Sequence, residues 1–266
     1  MRIVSLVPSL TETIAQSELR SSLVGMTNFC VHPPSLHKTV EIVGGTKDPD
    51  LSLIEKLSPT HVILNAEENE PGTIDFLRRK YKTHVTKPFL VEHVPQMLTD
   101  MGIFLGEEKV FENLAQSIRT KLKAAGECVV NRKSGLYFIW KDPLMIAGQG
   151  TYISSALDLF GIENCVEMFA GRQSSRYPSA ELEALKKNAC DIYLLSSEPW
   201  PFRKRDANVF QGIGHEGSKI IKVDGKLFSW YGSTTSDLLD VARKYHEKGV
   251  DFWEWSKVYT GNGAWE

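Results

Sequence analysis

Apolar residues in this chain gather in short runs broken by glycine, proline or polar turns, with amphipathic stretches between them. Residues 3–7 read as a β-rich apolar strand. Pro8-Ser9 then opens a helix in which Ser9 and Glu12 have the S-x-x-E spacing of a capping box. Residues 23–26 form a second short strand, which runs into a loop closed by His32-Pro33-Pro34, where paired prolines forbid helix and extend His32. A third short strand at 41–45 breaks into glycine. A helix at 51–57 follows, and then a strand at 61–64, apolar enough to be buried, opens into polar Asn65-Ala66-Glu67-Glu68-Asn69. Strands alternating with helices predict a largely parallel sheet.

The pattern changes at residues 91–125. One amphipathic helix reaches Leu105, Gly106 interrupts it, and a second carries Val110, Leu114, Ile118 and Leu122 at near-heptad spacing over residues 107–125. At 1.5 Å per residue it is about 28 Å long, enough to bridge two lobes. The α/β alternation then restarts with strands at 135–140 and 144–147, a helix at 152–160 capped by Thr151, a helix at 181–185 and a buried strand at 191–195. That last strand exits into Ser196-Ser197-Glu198-Pro199-Trp200-Pro201-Phe202. Helix, turn, apolar strand and polar loop therefore occur in the same order in both halves, a repeat of architecture rather than of residues. Residues 220–230, with Asp224-Gly225 as the turn, read as a closing hairpin-like unit. An amphipathic helix at 233–248 and an aromatic tail with Phe252, Trp253, Trp255, Tyr259 and Trp265 complete the chain, the tail packing on the surface. The expected division is an N-terminal α/β lobe over 1–105, a bridging helix over 106–127 and a C-terminal α/β lobe over 128–266.

With 266 residues, 42% hydrophobic and 24% charged, the chain can fill one large core or two medium ones. A formal net charge of -2 gives no general attraction to nucleic acid. Cys30, Cys128, Cys165 and Cys190 show no C-x-x-C spacing, so neither a zinc site nor a redox dithiol is signalled. They read mostly as buried thiols, with one disulfide left open. The first eight residues lack the long apolar region and cleavage site of an export signal. A cytoplasmic protein is therefore expected, the alternative being a periplasmic or lipid-anchored one whose leader is missing here.

Residues 2–6, the His32-Pro33-Pro34 loop and the run 57–64, Leu-Ser-Pro-Thr-His-Val-Ile-Leu, resemble the first lobe of the cobalamin- and siderophore-binding proteins that serve ABC importers. The likeness extends through the long helix to Ile146-Ala147-Gly148 and Trp230. These are the helical-backbone metal receptors of the class III periplasmic-binding-protein fold. The resemblance implies two Rossmann-like α/β lobes with largely parallel sheets joined by a rigid backbone helix, a ligand held in the cleft, and a monomer. In the cobalamin-binding relatives the loop before the prolines offers an aromatic to the ligand. His32 stands at that position here, Thr46 replaces a tryptophan expected after the next strand, and Trp230 matches a tryptophan of the last lobe. Relatives also carry one permease-docking glutamate in each lobe. Ser52, and Tyr231 or Gly232, occupy those places, which weakens the expectation of an ABC permease partner.

The expected ligand-binding residues are His32, Thr46, Asn65, Trp140, Tyr177, Glu198, Trp200 and Trp230. His32 is the metal-ligand candidate, because neutral imidazole is a common donor to cobalt or iron. A lone loop histidine is also often only solvated. Trp140, Trp200 and Trp230 fall at predicted C-terminal strand ends, where open α/β sheets place ligands, though each could equally plug a core. Glu198 and Trp200 belong to a rigid aromatic loop, trailed by Arg203-Lys204-Arg205, which are left outside the site. Gly148-Gln149-Gly150-Thr151 could bind an anion at a helix start, and Arg172, Arg176 and Tyr177 form a loop able to close over a ligand. The chain has no H-e-x-x-h or G-x-S-x-G motif, and its seven histidines lie apart, so it reads as a binder and not an enzyme. No covalent cofactor is implied. The small molecule that the resemblance leads one to expect is a corrinoid or an iron chelate, with ferric siderophore or haem as alternatives, and a sensory module or unrecognised enzyme as the remaining rivals.

Overall fold

The structure is a computed structural model that describes residues 1–125, 132–170, 175–210, 212–249 and 252. It divides into two compact units, one formed by 1–88, 93–119 and 230–236, the other by the described residues of 89–92, 120–229 and 237–266.

In the first unit β1 (Ile3–Ser5), β2 (Leu23–Met26) and β3 (Glu41–Ile42) are followed by β4 (His61–Asn65) and β5 (Lys82–Thr86), five parallel strands in the order β3-β2-β1-β4-β5. The central strand β1 is fully buried, as a strand covered on both faces must be. Val4, Leu6, Val62 and Leu64 share one core with Ile54 of α2 (Leu51–Leu57) and with Ile74 and Leu77 of α3 (Pro71–Lys80). The helix α1 (Pro8–Ala15) starts differently from the expected capping box. Val7 is its N-cap, without a side-chain bond, and Pro8 supplies the first turn, where its missing N–H costs nothing. Ser9 and Glu12 thus lie inside the helix. Asp50 does cap α2, its carboxylate accepting the Leu53 N–H at 3.0 Å. Gly106, at φ 67°, ends α4 (Val94–Leu105), and α5 (Glu108–Ala125) follows. Gly102 lets α4 and α5 touch, since a Cβ there would stand 2.8 Å from that of Phe111. Residues 71–86, where no element was anticipated, hold α3 and β5.

In the second unit β6 (Lys133–Trp140) is the central strand. It pairs in parallel with β9 (Ile192–Ser196) on one side and, on the other, with β8 (Ile162–Asn164) in parallel and β7 (Met145–Ile146) antiparallel. β10 (Lys219–Val223) adds a parallel edge beside β9. Four more helices are α6 (Tyr152–Asp158), α7 (Glu167–Ala170), α8 (Leu182–Lys187) and α9 (Lys204–Ala207). Leu136, Phe138, Tyr193 and Leu195 pack with Leu185, Phe202 and Phe210 into this unit's core. The expected hairpin at 220–230 does not form. Strand β10 is followed by α10 (Gly225–Ser229), because β10 pairs with β9 and Gly225 is drawn so close to Ser196 and Glu198 that a Cβ would lie 2.5 Å from the Ser196 hydroxyl. Residues 233–248 are helical throughout, as α11 (Ser233–Lys248).

Cys165 and Cys190 are joined by a disulfide and Cys30 is a buried thiol, so the reading of mostly free thiols holds for Cys30 alone among the described residues. Cys128 lies outside them. Of the aromatic tail only Phe252 is described, and it is buried against Phe160 and Tyr245 rather than laid on the surface.

Candidate functional site

Each sheet has a point where the chain reverses its direction of growth. In the first unit it leaves β1 toward β2 and β3 and returns on the other side of β1 as β4. In the second it places β8 on one flank of β6 and β9 on the other. The crevice at the carboxyl ends of the two strands flanking such a switch point is where open α/β sheets bind ligands.

In the first unit that edge is a network of directional bonds. Asn65, the last residue of β4 and 2% exposed, donates from Nδ2 to the Tyr231 hydroxyl at 2.6 Å. Its Oδ1 accepts the backbone N–H groups of Glu67 and Glu68 at 2.7 and 3.1 Å. Asn69 completes the frame by accepting the Asn65 N–H at 2.8 Å and donating to the carbonyls of Leu6 and Thr46. Thr46 therefore enters the site's frame through its backbone. The Tyr231 hydroxyl donates to Glu68 Oε1 at 3.2 Å. Burial pushes the Glu68 carboxyl up to about 7. The Tyr231 hydrogen bond opposes that rise, the neighbouring Glu67 charge adds to it, and Lys47 opposes it. Burial, followed by the Glu68 charge, holds the Tyr231 phenol well above its ordinary range.

His32 and Trp230 also meet in this unit, ring centroids 5.6 Å apart at 71°. His32 is half-buried and Trp230 9% exposed. The expectation that Trp230 ends a strand is corrected, because it follows helix α10.

In the second unit the corresponding edge is aromatic. Trp140 ends β6 with 36% of its surface exposed, and its ring meets Trp200 edge-on at 5.3 Å. Glu198 stands two residues past β9, its backbone N–H bonded to the Ser196 hydroxyl at 3.1 Å and its carbonyl accepting from the same hydroxyl. Arg203, Lys204 and Arg205 are exposed. Tyr177 lies on the segment bonded to β7, where Ile146 N–H donates to Pro178. The glycines at 148–151 answer to packing: a Cβ on Gly148 would lie 2.6 Å from the Arg176 carbonyl, and the Thr151 hydroxyl is spent on Gly148 and Ser154. The Arg176 guanidinium covers the Phe89 ring at 4.2 Å, while Arg172 lies outside the described residues.

Reasoning from sequence missed Tyr231 and Glu68. Tyr231 was weighed only as a surface docking position, yet it is buried, and so is Gly232, where a Cβ would fall 2.3 Å from the Thr13 hydroxyl. Neither can present a docking group. Ser52 is exposed near the start of α2. Among the described residues no three His, Cys, Asp or Glu side chains gather as metal ligands, and no helix is long and apolar enough to cross a membrane.

Two α/β units with ligand-type strand edges define a binding-protein architecture, and the chain belongs to the periplasmic binding protein family, whose model matches residues 3–212. Among solved structures it is similar to the periplasmic vitamin B12 binding protein BtuF of Vibrio cholerae, at 18% identity and a TM-score of 0.77, over 93% of this chain and 96% of that one. It is also similar to the periplasmic heme-binding protein RhuT of Roseiflexus sp. RS-1, at 20% identity and a TM-score of 0.74, over 94% and 99%. An ABC transporter substrate-binding protein from Listeria monocytogenes EGD-e aligns at 16% identity and a TM-score of 0.72, over 93% and 98%. No curated protein matches the chain in sequence.

Membership of this family overturns the cytoplasmic expectation in favour of the periplasm. The opening residues were a poor guide because they build β1, the fully buried central strand, and so report on the core and not on export. The Cys165–Cys190 disulfide accords with an oxidising compartment.

Proposed function

We propose that the protein is a substrate-binding protein for a flat, metal-bearing macrocycle of the corrinoid or haem class. The observation that carries this reading is the His32–Trp230 pair, an imidazole set edge-on to a buried indole whose neighbour Tyr231 is bonded to Asn65 at the end of β4. Imidazole is a donor to cobalt and iron, and an indole face provides the apolar contact a macrocycle needs. The Trp140–Trp200 pair offers a similar surface in the second unit. The similar structures, a vitamin B12 binding protein and a heme-binding protein, support the same class. Within the first unit His32 is assigned to the ligand's metal, while Asn65 and the Thr46 backbone frame that edge. A membrane permease is the proposed recipient, contacted through surfaces other than the buried Gly232.

The test is a visible-absorption titration of the full chain with cyanocobalamin, haemin and a ferric siderophore, paired with calorimetry. Saturable binding of cyanocobalamin or haemin at micromolar concentration or tighter is expected. Trp230→Ala should weaken it at least about tenfold, the effect of losing one buried aromatic contact, and His32→Ala should alter the bound ligand's absorption bands. Failure of both macrocycles to bind sinks the reading. Unchanged affinity and spectrum in both folded variants sinks the site assignment.

A further inference from the structure

The Glu68 carboxyl occupies an unusual position for an acid. It follows β4 at the switch point, and its backbone is pinned by the Asn65 side chain, itself locked by Asn69. Tyr231 occupies Oε1. Besides Tyr231, three charged or titratable groups among the described residues interact with it. Glu67 is its neighbour in the same loop, Lys47 comes from the loop before α2, and the Cys30 thiol comes from the loop after β2. Lys47 is the weakest of these influences on it, its ammonium being shared with the Glu67 carbonyl at 3.0 Å and the Glu70 carboxylate at 3.3 Å. A fixed, partly buried carboxyl thus stands at a ligand-type edge beside a second acid, with Lys47 shared among Glu67, Glu70 and itself.

Such an edge repels anions and accepts hydrogen bonds. We propose that Glu68, held by Tyr231, is the residue that selects the ligand's rim: it accepts hydrogen bonds from neutral amide groups and rejects carboxylates. This rests on the macrocycle reading above and narrows it to an amide-rimmed corrinoid, against a haem with its propionates or an anionic siderophore. An amide N–H pointed at Glu68 gains a charge-assisted bond, whereas a propionate would bring like charges together at a site with low dielectric. The raised carboxyl adds a signature. A donor favours the ionised acid, so binding an amide releases a proton, and binding a carboxylate would require one.

The experiment titrates the full chain with cyanocobalamin, with cyanocobalamin whose peripheral amides have been hydrolysed to carboxylates, and with haemin, between pH 5.5 and 8.5. The native chain is expected to prefer the amide form at least about tenfold at pH 8. Its affinity for that form should climb by up to about tenfold per pH unit below 7 and level off above. Glu68→Gln should flatten the pH profile. Tyr231→Phe should keep the slope and move its midpoint upward, since the lost bond had favoured the ionised acid. Equal binding of the amide and carboxylate corrinoids, a preference for haemin, or a pH-independent native affinity overturns the role of Glu68 while leaving macrocycle binding intact. The native-chain measurements decide this even if a variant fails to fold. Absence of saturable binding by any of the three overturns both readings.

Discussion

The two units share a plan and differ in what they put at its strand ends. In both, a central strand is flanked on one side by a parallel strand that follows a helix and a short turn, α2 before β4 and α8 before β9, and both leave a polar loop past that strand. The first unit spends this loop on bonds among Asn65, Asn69, Glu68 and Tyr231. The second spends it on the contact of Trp140 with Trp200, tied down by the Ser196 hydroxyl. The comparison shows how one sequence of helix, turn, strand and loop can hold two chemistries. Hydrogen bonds fix direction and charge, and are costly to leave half made. Ring contacts give area and tolerate displacement.

That contrast predicts unequal responses to substitution. The largest loss of stability is expected for Asn65→Ala, which strips partners from Tyr231 and from the Glu67 and Glu68 amides. About 3 kcal/mol should disappear in denaturant unfolding followed in the first unit. Next comes pH. The Glu68 carboxyl is raised from 4.5 to about 7 in the folded chain, so its contribution is present in full below 4.5 and lost as pH rises through 7. Melting temperature should fall across that window, and Glu68→Gln, which cannot ionise, should remove a loss on the order of 2 kcal/mol at pH 8. Tyr231→Phe removes only the hydroxyl and should cost about 1 kcal/mol at pH 6. The smallest effect belongs to the second unit. Trp140→Ala, at a residue already 36% exposed, should cost less than about 1 kcal/mol. A cost for Trp140→Ala equal to that of Asn65→Ala would abolish the contrast.

Much of the alternation was legible because it rests on local signals. Asp50, Ser58 and Gly106 mark where α2 and α4 begin or end, and apolar 61–64 and 191–195 announce buried strands. Strand β5 escaped notice since Lys82-Thr83-His84-Val85-Thr86 offers little apolar contrast, yet its register beside β4 makes it a strand. The hairpin at 220–230 failed for the opposite reason. Its residues suit strands, but past β10 the chain packs Gly225 against the Ser196–Glu198 loop and enters helix α10. The pairing of His32 with Trp230 spans nearly two hundred residues and has no local signal. Glu68 sat in view within an acidic loop, and its distinction, a tyrosine arriving from residue 231, has no trace in the spacing.

By itself the sequence determined the order and type of most elements, the breaks between them and the class of fold, because caps, glycines and hydrophobic periods act within a few residues of one another. Only the tertiary structure decided which polar groups meet. Burial raises the Glu68 carboxyl, and the Asn65 amide meets the Tyr231 hydroxyl across 166 residues of sequence. Both depend on atoms brought together from distant parts of the chain, where desolvation and sterics, not local propensity, set the energy.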